Sequence, residues 1–171
     1  MSPVKSSKNQ KIALIAMMVA LTTLGTLIIQ IPAIVANGYI NIGDTFLMFT
    51  GLLLGPLAGF AAGSLGSALA DLLAGYAIYA PITFVVKGLE GLICALIFQK
   101  FKYKNKYTII ATLSGGLLMA LGYFIGECFL YGPAGAAASV LGNLLQGISN
   151  AVFAVMLYQV LHKRLKKAFS L

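Results

Sequence analysis

Four carboxyl side chains and one ammonium group lie inside apolar stretches of the sequence, where charged groups are rare. They belong to Asp44, Asp71, Lys87, Glu90 and Glu127. An ionised side chain at the centre of a bilayer is unfavourable by about 3 kcal/mol or more. Such residues are therefore kept for a purpose, and each of the five is a candidate for ligand binding or proton transfer.

Three carboxamides form a second polar group near the end of the sequence. Asn143, Gln146 and Asn150 are spaced by three and four residues, which puts them on one face of a helix. A carboxamide both donates and accepts hydrogen bonds, which suits a ring bearing hydroxyl groups and a nitrogen atom. The alternative interpretation is structural: the stripe could join neighbouring helices, and Lys87 and Glu90 could neutralise each other.

The elements that carry these residues are apolar helices. The chain of 171 residues is 60% hydrophobic and 9% charged, which is typical of an integral membrane protein. A helix needs about 20 residues to cross the hydrocarbon layer. Glycine and proline divide the apolar sequence into six candidate spans: 12–32, 42–54, 57–74, 79–98, 107–129 and 137–161. We therefore predict an all-α integral membrane protein with six transmembrane helices.

The basic residues predict the orientation of these helices. Except for Lys87, they fall in three clusters, at residues 5–11, 100–106 and 163–167. Six helices with both termini cytoplasmic put all three clusters inside, whereas five or seven helices would put one outside. The prediction is one membrane domain, residues 1–171, with cytoplasmic tails at 1–11 and 162–171. The net charge of +8 then needs no nucleic-acid partner.

This topology places the ionisable side chains in the outer half of the bilayer or near its midplane. At 1.5 Å per residue, Lys87 lies roughly 12 Å and Glu90 roughly 16 Å below the outer end of their helix. Tyrosines lie at the outer boundary. They could line a pocket, or they could form the belt of aromatic side chains that is typical of the membrane interface. We predict an outward-opening pocket for a small polar aromatic ligand, lined by Asn143, Gln146, Asn150, Lys87, Glu90, Tyr39, Tyr79, Glu127 and Asp71.

Small residues indicate where helices pack closely. Gly55, Gly59 and Gly63 recur every four residues, which favours packing inside the bundle. Ala13, Ala16 and Ala20 form a similar patch on the first helix, and this patch could instead face another subunit.

Catalytic residues, metal ligands and a cofactor site are not expected. The one histidine, His162, lies in the basic C-terminal tail, and nucleophile and nucleotide-binding motifs are missing. Any use of ATP would have to come from partner subunits.

Residues 41–92 resemble the S component, the substrate-binding subunit, of energy-coupling factor (ECF) transporters. The resemblance rests on Asn-Ile-Gly-Asp-Thr at 41–45, Leu-Leu-Gly-Pro-Leu-Ala-Gly at 53–59, Gly-Ser-Ala-Leu-Ala-Asp-Leu-Leu at 66–73, Pro-Ile-Thr at 81–83 and Lys-Gly-Leu-Glu-Gly at 87–91. The similarity is greatest to the riboflavin, pyridoxine and hydroxymethylpyrimidine branch. Ala16-Met-Met-Val-Ala20 is similar to the motif with which that family's first helix docks onto the transmembrane coupling subunit.

The resemblance implies a subunit of an ATP-driven importer that captures a small water-soluble vitamin from outside. Its partners would be the lipid bilayer, a shared transmembrane coupling subunit and two ATP-binding cassette ATPases, and its location a cell membrane, that of a bacterium. Pyridoxine or hydroxymethylpyrimidine is the preferred ligand, with riboflavin as an alternative. A stand-alone carrier, proton-coupled or facilitative, with Glu90 and Glu127 as proton sites, is the competing hypothesis. An enzyme is the least supported class.

Overall fold

The computed structural model describes residues 8–32 and 39–169, and helices account for most of them. The helices are α1 (Lys8–Ile28), α2 (Gly43–Leu54), α3 (Pro56–Leu73), α4 (Ala80–Lys100) and α5 (Thr108–Phe169), with a single 3-10 turn at Asn105–Tyr107 before α5. Among these residues, α1, α3, α4 and the segment Asn105–Phe169 are long and apolar enough to cross a membrane, and α2 is apolar but shorter. The predicted class of apolar helices is confirmed.

Helix α5 is a hairpin of two helices rather than one rod. At Gly132 the backbone leaves the helical region, with φ 75° and ψ 169°, and Pro133 follows. A Cβ atom built on Gly116 would lie 2.9 Å from the backbone of Gly147, and Ser139 hydrogen-bonds Glu127. Because later residues contact progressively earlier ones, residues 108–131 and 133–169 run antiparallel. The turn predicted from Tyr131-Gly132-Pro133 lies at this break.

The connection between α2 and α3 is also a tight turn formed by a glycine and a proline. Gly55 has φ 96°, a left-handed conformation that glycine adopts without steric cost, and Pro56 begins α3. The chain reverses there within two residues, as the sequence predicts.

The connection between α1 and α2 differs from the prediction. Helix α1 ends at Ile28, and the short strands β1 (Gln30–Pro32) and β2 (Tyr39–Asn41) then pair antiparallel, Gln30 opposite Asn41. The helix therefore ends about one turn before the predicted residue 32. Helix α1 begins at Lys8 and α5 continues to Phe169, so helices extend into both predicted tails.

The short connections define two ends of the bundle. The β1–β2 hairpin, the turn between α3 and α4 and the break at Gly132 lie at one end, which we call the turn end. The start of α1, the connection between α4 and α5 and the end of α5 lie at the other, which we call the basic end because the lysine and arginine clusters flank it.

Glycines bring α3 against α4. A Cβ atom on Gly63 would overlap the carbonyl oxygen of Lys87, and one on Gly59 would lie 2.7 Å from that of Gly91. Backbones in such contact leave no room for a side chain, so the glycine stripe of α3 packs inside the bundle. The same contact fixes the backbone from which the Lys87 side chain extends.

Helix α1 buries one face and exposes the other. Leu14, Met18 and Thr22 are buried, whereas Ala13, Ala16 and Ala20 are all exposed. The alanine patch therefore lies largely away from the packed face of the helix.

Candidate functional site

A salt-bridge cluster at the centre of the bundle joins α2 to α4. Lys87 Nζ lies 2.6 Å from Asp44 Oδ1 and 3.2 Å from Glu90 Oε2, and all three side chains are buried. The ammonium group also lies 5.5 Å from the centre of the Tyr123 ring, within the range of a cation–π contact. One cation thus serves two carboxyl groups, and Glu90 Oε1 is buried with no hydrogen-bond partner.

Gln146 connects this cluster to α5 and to strand β2. Its Nε2 donates to Asp44 Oδ2 at 2.8 Å, and its Oε1 accepts from the backbone N–H of Asn41 at 3.0 Å. The carboxamide therefore holds the end of the β1–β2 hairpin next to the salt bridge.

Asn150 makes the densest set of contacts. Its Oδ1 accepts from the N–H of Thr45 at 3.2 Å and from the Thr45 hydroxyl at 2.7 Å. Its Nδ2 donates to the carbonyls of Asn41 and Gln146, at 2.8 and 2.9 Å. A carboxamide offers two donor hydrogens and two lone pairs, so the hydrogen-bonding capacity of Asn150 is fully used. We call this set the deep network: Asn41, Asp44, Thr45, Lys87, Glu90, Gln146 and Asn150.

A second polar group lies towards the turn end and is less tightly bonded. The Tyr79 hydroxyl donates to Glu127 Oε1 at 3.3 Å, and the Ser139 hydroxyl donates to Glu127 Oε2. Asn143 makes one long contact, from Nδ2 to Ser139 Oγ at 3.4 Å, and is half-buried. The Tyr131 ring packs on Tyr79 and is 45% exposed. We call this set the turn-end cluster: Tyr79, Glu127, Tyr131, Ser139 and Asn143.

Thr83 and Tyr123 link the two groups. Their hydroxyls are 2.9 Å apart, and either can be the donor. Tyr79, Thr83 and Lys87 follow one another every four residues and therefore share one face of α4. On α5, Tyr123 and Glu127 have the same spacing. The polar side chains thus form one column along the interface of α4 and α5, from the turn end to the middle of the bundle.

Comparison with known proteins assigns a family to this architecture. The model of the family "ECF-type riboflavin transporter, S component" matches residues 6–163. A protein of Pyrococcus woesei, described as an uncharacterized protein in the gap 3′ region, is 38% identical over 143 residues, which cover 84% of this chain and 95% of that protein. The chain belongs to the ECF S-component family. It is a multi-pass membrane protein and a component of a transport system.

The column of polar side chains along α4 and α5 contains most of the residues predicted to line the pocket. Lys87, Glu90, Gln146 and Asn150 meet in the deep network, and Tyr79, Glu127 and Asn143 meet in the turn-end cluster. Asp71 is buried near the end of α3, on the turn-end side. The backbone of Tyr39 belongs to β2, and its side chain lies outside the part of the chain that the structure describes. Their roles in ligand binding stay predictions.

Three partners of the deep network were not included in the predicted site. Asp44 was recognised as an ionisable residue in an apolar stretch but not as the partner of Lys87, which lies 43 positions away. Asn41 contacts Gln146 and Asn150 through its backbone N–H and carbonyl, which leave no signal in the residue type. Thr45 contacts Asn150 through both its backbone N–H and its hydroxyl. The motif Asn-Ile-Gly-Asp-Thr at 41–45, whose polar residues all contact the network, is the feature that could have identified them.

Proposed function

We propose that this protein is the substrate-binding S component of an ECF-type importer, which captures a small water-soluble vitamin from outside the cell. The observation that carries the proposal is the family match over residues 6–163. In this proposal α5 supplies two crossings and the chain six in all. The basic end faces the cytoplasm and the turn end faces outward, in agreement with the positions of the lysine and arginine clusters.

We place the ligand next to the turn-end cluster, with the deep network below it. Asn143 supports this position, because a half-buried carboxamide with one long hydrogen bond has donors and an acceptor left for a guest. Tyr131 and Tyr79 are close enough to cover an aromatic ring. Gln146, Asn150, Lys87 and Glu90 would then support the floor of the site.

The choice of vitamin is a proposal of its own. The description of the family model supports riboflavin as the first ligand to test. Pyridoxine and hydroxymethylpyrimidine, which are smaller rings with hydroxymethyl groups, are proposed beside it.

We further propose that the exposed alanine patch of α1 docks onto a transmembrane coupling subunit, which brings two ATPases. Ala13, Ala16 and Ala20 leave a shallow surface on which another helix could pack closely. ATP hydrolysis belongs to those partners and not to this chain. Replacing Ala16 and Ala20 by leucine should leave vitamin binding unchanged and abolish recovery of the ATPases with the purified chain; undiminished recovery would place the docking surface elsewhere.

Binding by the purified chain tests the proposed function. Riboflavin fluorescence should be quenched on titration with the chain in nanodiscs, and calorimetry should detect pyridoxine or hydroxymethylpyrimidine if one of them is the ligand. Binding of none of the three would contradict the proposal. Accumulation of a vitamin in vesicles that contain this chain alone, without ATP, would instead support a stand-alone carrier.

A further inference from the structure

The charges inside the described helices are strongly unequal. Asp44, Asp71, Glu90 and Glu127 are all buried carboxyl groups, and Lys87 is the one basic residue among them. The other lysines and the arginine of residues 8–32 and 39–169 lie at the basic end. At the end where we place the ligand, acidic groups therefore outnumber basic ones.

Lys87 is not available to pair with an anionic ligand. Its ammonium group is fully enclosed by Asp44, Glu90 and the Tyr123 ring. Turning it towards a guest would leave Asp44 or Glu90 as an uncompensated buried charge, which is strongly unfavourable.

The groups that can still form hydrogen bonds are either acceptors or uncharged. The hydrogen bonds to Glu127 come from hydroxyl groups, which bring no positive charge. Below the proposed ligand, Glu90 Oε1 is a buried acceptor with no hydrogen-bond partner, so the deep network offers no unpaired cation on that side. Asn143 adds a neutral carboxamide. These groups match a ligand that donates hydrogen bonds and carries no negative charge.

We propose that the site takes a neutral or cationic, donor-bearing ring and rejects phosphorylated and carboxylated forms of the same molecule. The inference rests on the proposed function and adds a substrate class to it. A phosphate monoester carries about two negative charges at neutral pH. It would have to sit beside Glu127 and above the carboxyl groups of the deep network, with the Lys87 ammonium group already engaged.

A series of ligands of nearly equal size separates charge from shape. Pyridoxamine carries an ammonium group, pyridoxine an alcohol and 4-pyridoxic acid a carboxylate on the same ring. Riboflavin and its 5′-phosphate form a second pair. Each compound is titrated into the full chain in nanodiscs, by calorimetry and by thermal unfolding. We expect the carboxylate and phosphate forms to bind at least about 100-fold more weakly than their neutral parent.

The variant Glu127→Gln removes one negative charge and nearly no volume. It should raise the affinity for riboflavin 5′-phosphate relative to riboflavin by about 10-fold, because one repulsive contact is lost. An anionic form that binds within about threefold of its parent in the unmodified chain would overturn the inference and leave the proposed function standing. Absence of binding by every compound would overturn both.

Discussion

The two polar regions of this bundle contain the same residue types with opposite degrees of hydrogen bonding. Asn150 in the deep network uses all four of its hydrogen-bonding positions, whereas Asn143, two turns away on the same helix, makes one contact of 3.4 Å. Glu90 is held by an ammonium group, whereas Glu127 is held by hydroxyls. Polar residues in a membrane helix therefore do not all serve the same purpose.

The difference indicates a division of labour. Inside a low-dielectric bundle, a hydrogen-bonded polar network fixes one arrangement of its helices. Removing any member leaves its partners buried without a hydrogen bond, which is unfavourable. The deep network joins α2, α4, α5 and β2 in this way, with Glu90 Oε1 as its one buried side-chain atom without a hydrogen-bond partner. A group with unused hydrogen-bonding positions stabilises the ligand-free protein less, and it gains partners when a ligand binds. The turn-end cluster has this property.

Replacing Lys87 by methionine is expected to have the largest effect. Asp44 and Glu90 would face each other without a cation, and breaking a buried ion pair typically costs about 3–5 kcal/mol. The unfolding midpoint in detergent should fall markedly, measured by circular dichroism because the chain has no tryptophan. Lys100→Met, at the exposed end of α4, is the matched control and should unfold as the unmodified chain does.

The double variant Lys87→Met with Asp44→Asn guards against a single variant that fails to fold. It removes one negative charge together with the cation, so part of the lost stability should return. A Lys87→Met protein as stable as the unmodified chain would show that the salt bridge does not hold the bundle together.

The two asparagines provide the sharpest test of the comparison. Asn150→Ala should lower the free energy of unfolding by about 1–3 kcal/mol, because the Thr45 N–H and the Asn41 carbonyl lose their partner in a buried place. Asn143→Ala should change stability by less than about 0.5 kcal/mol and weaken vitamin binding by about 10-fold. Thermal unfolding and ligand titration of both variants decide the matter. Reversed results would exchange the roles of the two regions.

Local chemistry made part of the fold predictable. The reversals at Gly55-Pro56 and Gly132-Pro133 follow from residues that end helices wherever they occur, and the structure places turns at both. The β1–β2 hairpin was missed because strands of three residues inside an apolar run leave no periodic signal. The predicted first helix consequently extends about one turn too far at this end, although its length equals the 21 residues of α1.

The residue types of the site could be predicted from the sequence, but their hydrogen-bond partners could not. The spacing of Asn143, Gln146 and Asn150 correctly gives one helical face, yet the structure divides that face between two regions. The division depends on the neighbouring side chains: Asn143 contacts Ser139, which bonds Glu127, whereas Gln146 and Asn150 contact Asp44 and Thr45 of α2. Contacts between residues about a hundred positions apart are set by tertiary packing, and a single sequence does not contain that information.

Glycine substitutions give a smaller and subtler test of the same comparison. Gly63 lies against the carbonyl of Lys87 and so supports the deep network, whereas Gly142 lies beside Asn143, and a Cβ atom added there would have no atom within 4 Å. Gly63→Ala should push α4 away. Overpacking typically costs about 1–3 kcal/mol, and the helix preference of alanine returns about 0.5–1, so the net loss should be about 1 kcal/mol.

Gly142→Ala should have the opposite sign, because it gains the helix preference and meets nothing. Thermal unfolding of the two variants side by side measures this difference without any ligand. Equal midpoints would mean that the close approach of α3 to α4 is not needed to hold Lys87 in place, and the deep network would then be maintained by its hydrogen bonds alone. A fall for Gly63→Ala with a rise for Gly142→Ala would show that backbone packing and polar bonding support the same part of the bundle.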